Sequence, residues 1–253
     1  VNQGAAALLM SVEAARKLGV PEENWVYLHG HADLEEQSLL ERPDLGHAPS
    51  AVMAAREALA VAGIGIDDIA TFDLYSCFPV PVFNICDGMS IAPDDPRGLT
   101  LTGGLPFFGG AGNNYSMHGV AETIAKCRSA PGQFGLVGAN GGILSKYSVG
   151  VYSTTPAEWK PDRSAQLQGQ IGQSPTQSVT EHADGPGTVE TYTVRRDGGR
   201  PTGIIIGRLD ADDSRFLATT EDDDLIGLLT DGEPLGRPVV VRSFDYGNRC
   251  VLS

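Results

Sequence analysis

Basic residues are scarce in this sequence: 18 Lys and Arg stand against 32 Asp and Glu, a formal charge of −14 over 253 residues. That balance disfavours a polyanionic partner, because nucleic acid or an anionic membrane face would be repelled unless cations clustered locally. The Lys and Arg are scattered, so an anionic ligand would have to be gripped by backbone N–H groups or single cations. Cysteine is scarce too. Cys77, Cys86, Cys127 and Cys250 lie far apart and none forms a Cys-x-x-Cys pair. A chain this long can bury a core without staples, which points to a reducing, cytoplasmic setting. There is no stretch of roughly 18 consecutive apolar residues and no basic segment ahead of one, so neither a membrane span nor a secretory signal is indicated.

What remains, 41% hydrophobic and 20% charged residues, suits one large domain or two smaller ones. The chain opens on Val1, and residues 2–10 (Asn-Gln-Gly-Ala-Ala-Ala-Leu-Leu-Met) read as a buried strand entered abruptly, as though a longer polypeptide or a second chain supplied what precedes it. Helix formers from Ser11 to Leu18 end at Gly19-Val20-Pro21. Aromatic and β-branched content predicts a strand over 25–31, Pro49 opens a helix to Ala62, and 69–74 reads as a buried strand leading into Tyr75-Ser76-Cys77-Phe78. Glycine then becomes dense: Gly103, Gly104, Gly109, Gly110 and Gly112 precede His118, and a helix is expected over 120–129. Strands over 134–139 and 147–153 flank a glycine turn at Gly141-Gly142. Residues 155–187, rich in Gln, Ser, Pro and Gly, read as a linker or surface excursion. Short strands over 189–196, 201–209, 216–220 and 238–244 suggest a small barrel of oligonucleotide/oligosaccharide-binding (OB) type. The acidic run 221–224 reads as a solvated turn.

Four features follow one another in a fixed order: Asn-x-Gly-Ala-Ala-Ala, a helix ending in Ala-Gly, an acidic strand running into x-x-Cys-Phe, and a glycine loop leading to His. In that order they resemble the C-terminal part of the thiolase superfamily, in its sterol-carrier-protein-thiolase-like branch, over residues 1–154. The expected architecture is therefore α/β, the C-terminal part of a layered thiolase-like fold at 1–154, a linker at 155–187 and an OB-like barrel at 188–253, similar to the extra domain of bacterial thiolase-like proteins.

The resemblance implies chemistry next to a coenzyme A thioester: a part of an acyl-CoA acyltransferase of the acetyl-CoA acetyltransferase kind, in lipid metabolism. The family's nucleophilic cysteine lies on the N-terminal side of the strand where this chain begins, so no residue here inherits that role. His118 falls on the family's Gly-His-Pro histidine, with both flanks changed. An imidazole there can polarise a thioester carbonyl or activate a thiol, or it can make one structural hydrogen bond at a helix start. Tyr75 and Cys77 fall on the Asn-Glu-Ala-Phe or His-Asp-Cys-Phe motif, where Tyr75 could donate a hydrogen bond and Cys77 supply a thiol, or both could simply be buried. Ala139-Asn140-Gly141 aligns with the family's Cys-x-Gly, so its acid/base thiol is missing. Catalytic candidates are therefore His118, Cys77 and Tyr75, with Gly109, Gly110, Gly112, Asn140 and Gly141 shaping the thioester pocket and Asn140 alternatively a turn residue. His29, His31 and Asp33 alternate on a strand without further ligands, so no metal is expected and no cofactor beyond the thioester itself. Two further readings stay open: a non-catalytic acyl-CoA-binding scaffold, and a thiolase-like aldolase acting on a β-hydroxyacyl-CoA through Tyr75. The expected partners are acyl-CoA, a second copy of the chain, and the missing N-terminal half or a chain supplying it.

Overall fold

A computed structural model describes residues 2–253, which divide into two compact units: residues up to Gln37 together with Asp44–Ser174, and Ser38–Pro43 together with Pro175–Ser253. The first unit runs α1 (Val12–Lys17), β1 (Tyr27–Glu35), α2 (Pro49–Ala62), β2 (Ile69–Asp73), α3 (Pro79–Met89), α4 (Leu105–Phe108), α5 (Tyr115–Ser129), β3 (Phe134–Gly141), β4 (Lys146–Ser153) and α6 (Ser164–Ile171). Its sheet has the order β1-β4-β3-β2, with β2 and β3 parallel and the other pairs antiparallel.

Alternation in β4 sends Tyr147, Val149 and Val151 to one face, where they meet Leu34, Leu136 and Phe72 and the alanine stripe Ala51, Ala54, Ala55 and Ala58 of α2. Small side chains let α2 lie close to the sheet: a Cβ on Gly30 of β1 would run into the Ala58 carbonyl. Each large side chain buried here contributes about 2 kcal/mol. On the opposite face, Gly135 lies under Thr123 and Cys127 of α5.

Several expectations are revised. Residues 2–10 form no strand, and Leu8 and Leu9 are more than nine-tenths exposed. A strand is made by a ladder partner rather than by apolar content, and none pairs with this segment among the described residues. The segment expected as a linker contains α6, whose side chains complete the outer edge of β1. Ser164 Oγ accepts from Asp33 N–H (3.0 Å), Gln168 Oε1 accepts from Glu35 N–H (2.8 Å), and Gln168 Nε2 donates to the Glu35 carbonyl (3.0 Å). The helix after the glycine loop starts at Tyr115, so His118 lies inside its first turn. Helix α3 has no counterpart in the sequence reading, although Phe78-Pro79 carries its signal, proline at the first helical position.

The second unit is a closed barrel of β5 (Gly185–Arg195), β6 (Thr202–Leu209), β7 (Arg215–Thr220), β8 (Pro238–Phe244) and β9 (Gly247–Leu252), in the order β5-β6-β7-β9-β8. β7 and β9 run parallel, and β5 pairs with β8 to close the ring. Val189, Ile205, Phe216, Val239, Val241 and Cys250 fill the interior, and α7 (Asp223–Asp231) adds Leu225 and Leu229 to it. The expected solvated turn at 221–224 is the start of that helix. Asp222 caps it by accepting from Leu225 N–H (2.9 Å), and Asp223 and Asp224 stand in the first turn, where the helix dipole favours negative charge.

Candidate functional site

Strands β2 and β3 run parallel, with Asp73 at the end of β2 opposite Val137, so Tyr75-Ser76-Cys77 leaves β2 at the end of the sheet towards which the last residues of β3, Ala139-Asn140-Gly141, continue. Tyr147 of β4 is buried, with its hydroxyl so close to Gly138 of β3 that a Cβ there would collide. Burial pushes its phenol pKa up, partly offset by the Tyr75 backbone.

A polar network fixes the loop after β2. Asp73 is buried, and its Oδ2 accepts from Thr102 N–H at 2.8 Å. The Tyr115 hydroxyl lies 2.6 Å from Thr102 Oγ1 and 3.2 Å from Ser76 Oγ, and Ser76 Oγ accepts from Leu105 N–H at 2.9 Å. One chain of contacts thus ties the end of β2, the glycine-rich loop and the start of α5. Asp73 Oδ1 has no hydrogen-bond partner and lies against Gly119 of α5, where a Cβ would stand 2.8 Å from it. Burial raises the Asp73 pKa, against the lowering pull of its Thr102 bonds.

Aromatic rings extend the network. Tyr75 meets Tyr115 edge-on at 5.6 Å between centroids, Tyr115 meets Phe108 at 5.8 Å, and Phe108 meets His118 at 4.8 Å. His118 Nε2 has Asn114 Nδ2 at 3.5 Å, the outer limit of a hydrogen bond. The Tyr75 pKa is raised, chiefly by burial, which keeps its hydroxyl protonated and able to donate. Gly109 closes α4 with φ of 114°, and the Gln3 amide, which donates to the Phe108 carbonyl at 2.7 Å, occupies the space a side chain would need.

Tyr75 and His118 therefore join one network through Tyr115 and Phe108, Gly109 follows Phe108 at the end of α4, and Cys77 is a half-buried free thiol. Asn140 and Gly141 do not join the network. They line an open depression of about 480 Å³ with Asp33, Glu35, Lys146 and Ser148, in which Ser148 Oγ donates to Asp33 Oδ1. Sequence reasoning missed Asp73, Thr102 and Tyr115; a carboxylate inside the apolar run 69–74 was the available signal for the first. Cys86, Cys127 and Cys250 are buried thiols, Cys250 with its pKa pushed up to about 12 by burial. His47 is exposed and bonds Asp44 (2.8 Å), His29 bonds the Thr155 carbonyl (2.8 Å), and His31 pairs with Asp162 (2.7 Å). Among the described residues no group of three or more His, Cys, Asp or Glu could hold a metal.

The chain is similar over 96% of its length to a monomeric SCP2-thiolase like protein type 1 from Mycobacterium smegmatis, with 66% sequence identity and a TM-score of 0.93. Residues 166–245 match the family described as the thiolase-like protein type 1 additional C-terminal domain. The chain belongs to the thiolase-like superfamily. It spans 54% of the length of that crystallised relative. The relative is described as monomeric, so it lends no support to the self-association expected for a thiolase. A search of curated proteins found no match. No helix among the described residues of this thiolase-like chain is long and apolar enough to cross a membrane.

Proposed function

We propose that this chain forms part of an acyl-CoA site in a thiolase-like protein that holds a thioester without making or breaking its carbon–carbon bond. One observation carries the reading: among the last residues of β3, at the position where the family resemblance expects the acid/base thiol, stands the methyl of Ala139. A methyl group can neither take nor return the α-proton that condensation requires. The polar groups that remain are suited to holding a carbonyl, with Tyr75 a protonated donor and His118 an imidazole against the face of the glycine loop. Coenzyme A thioester as the ligand and a cytoplasmic setting belong to the same proposal.

The test uses the entire protein that carries this chain. Calorimetry is expected to show acetyl-CoA binding, weakened about fivefold to tenfold by Tyr75→Phe, with no thiolysis or condensation across acyl-CoAs of increasing length. Turnover that falls at least about tenfold in His118→Ala would overturn the binding-only reading in favour of acyl transfer. Retro-aldol cleavage of a β-hydroxyacyl-CoA, lost in Tyr75→Phe, would overturn it in favour of an aldolase.

A further inference from the structure

The outward face of the β8–β9 hairpin departs from the rest of this acidic chain. Val239, Val241, Asn248 and Cys250 point into the barrel, so Arg242, Phe244 and Arg249 point out. Arg242 and Arg249 stand directly opposite each other in the strand register. Like charges facing across a sheet oppose each other, and neither arginine has an ion-pair partner among the described residues; Asp245, in the turn between the strands, pairs with neither. Such a pair keeps its repulsion unless an anion bridges it.

Beside the two cations is a stacking surface. The Phe244 and Tyr246 rings lie nearly parallel, 9° apart with centroids at 5.3 Å, and are 43% and 69% exposed. The Arg249 guanidinium lies over the Tyr246 ring at 5.1 Å, holding cation and ring together. On the neighbouring strand, Thr219 is registered against Arg249, and its buried hydroxyl has no hydrogen-bond partner; Leu217, two positions back on the same face, is 46% exposed. Two arginines without ion-pair partners among the described residues and an open aromatic pair are thus gathered on one barrel face.

From this arrangement we infer that the barrel face binds a nucleoside phosphate, its base stacked on Tyr246 and Phe244 and its phosphates bridging Arg242 and Arg249. Ring and anion are both required, because the arginines alone would take any phosphate and the rings alone any planar group. A mononucleotide fits better than a strand of nucleic acid, since a polyanion reaching past two arginines would meet a chain of formal charge −14. The site is independent of the thioester reading.

Calorimetry on the full chain with ADP as the probe, at low ionic strength, tests it. Saturable binding is expected, weakened at least about tenfold by Arg242→Ala with Arg249→Ala, and about fivefold or more by Tyr246→Ala. Adenosine and inorganic pyrophosphate, each lacking one half of the ligand, should bind at least about tenfold more weakly than ADP. Should the double alanine variant lower the melting temperature, Arg242→Gln with Arg249→Gln removes the charge, keeps polar side chains, and carries the same expectation. The inference is overturned if ADP does not bind, if its affinity is the same in the arginine and Tyr246 variants, which would place it elsewhere, if pyrophosphate binds as tightly as ADP, or if a single-stranded oligonucleotide is preferred to ADP.

Discussion

At the residue scale the most consequential side chain is Asp73, which no motif singles out. It is buried, one oxygen bonds Thr102, and the other faces Gly119 without a partner. Its folded pKa lies above the ordinary value of 3.8, chiefly through burial. The folded state therefore holds the proton more tightly than the unfolded chain: the stability of the protonated form is fully present below 3.8 and is lost as pH rises through the folded pKa. Asp73→Asn keeps an acceptor for Thr102 and removes the buried charge, so it is expected to stabilise the protein by about 1 kcal/mol near neutrality. Melting curves of both proteins from about pH 4 to about pH 8 check this. The gap should close towards the acid end, and a gap independent of pH would show that the charge is not the cause. Tyr75, Cys77 and His118 could be picked out in the sequence because they stand in local motifs. The network holding them could not, since Thr102 and Tyr115 reach Asp73 and Ser76 only through the fold.

Among the elements, the alanine-striped helix α2 and the apolar strands of the sheet were legible, and so was the series of short barrel strands. Periodicity reports burial, and burial is what builds α2, β4 and the barrel interior. Composition misled at residues 2–10, which are apolar yet exposed, and at α6 and the start of α7, which are polar and satisfy backbone and dipole rather than bury area. Gln168 shows why a Gln-rich segment need not be a linker: one amide satisfies both the N–H and the carbonyl of Glu35 on the outer edge of β1. Gln168→Ala should cost about 1 kcal/mol in urea unfolding and speed hydrogen exchange at the Glu35 amide more than at Val149 in the sheet interior. Equal acceleration at both positions would argue that α6 is a general prop and not an edge cover.

For the whole molecule, the division into units does not follow sequence order: a buried arginine, together with the Gln177 N–H donating to the Glu41 carbonyl at 2.8 Å, ties an early segment to the later unit. Arg215, wholly buried on β7, gives two hydrogen bonds to the Glu190 carboxylate, each 2.7 Å, and two to the carbonyls of Leu40 and Arg42, each 2.6 Å. Ser38–Pro43 is thereby part of the barrel unit although about 130 residues of the other unit separate it from Pro175. No sequence pattern announces this, because backbone carbonyls carry no residue identity. Burial pushes the Glu190 pKa up, but Arg215 and Arg208 together pull it below its ordinary 4.5. Its contribution to stability is therefore present above 4.5 and lost as pH falls through the lower folded value. Arg215→Ala withdraws four donors at once and leaves Glu190 to Arg208 alone, at 3.0 Å. The expected cost is about 3 kcal/mol. In the full chain, amides of β5–β7 and of Ser38–Pro43 should exchange together, roughly 100-fold faster than in the parent protein near neutral pH, while β1–β4 amides keep their protection. The difference should narrow in acid as Glu190 protonates. If Ser38–Pro43 loosened alone and the barrel strands did not, Arg215 would be only a latch for that segment and not a member of the barrel's own core.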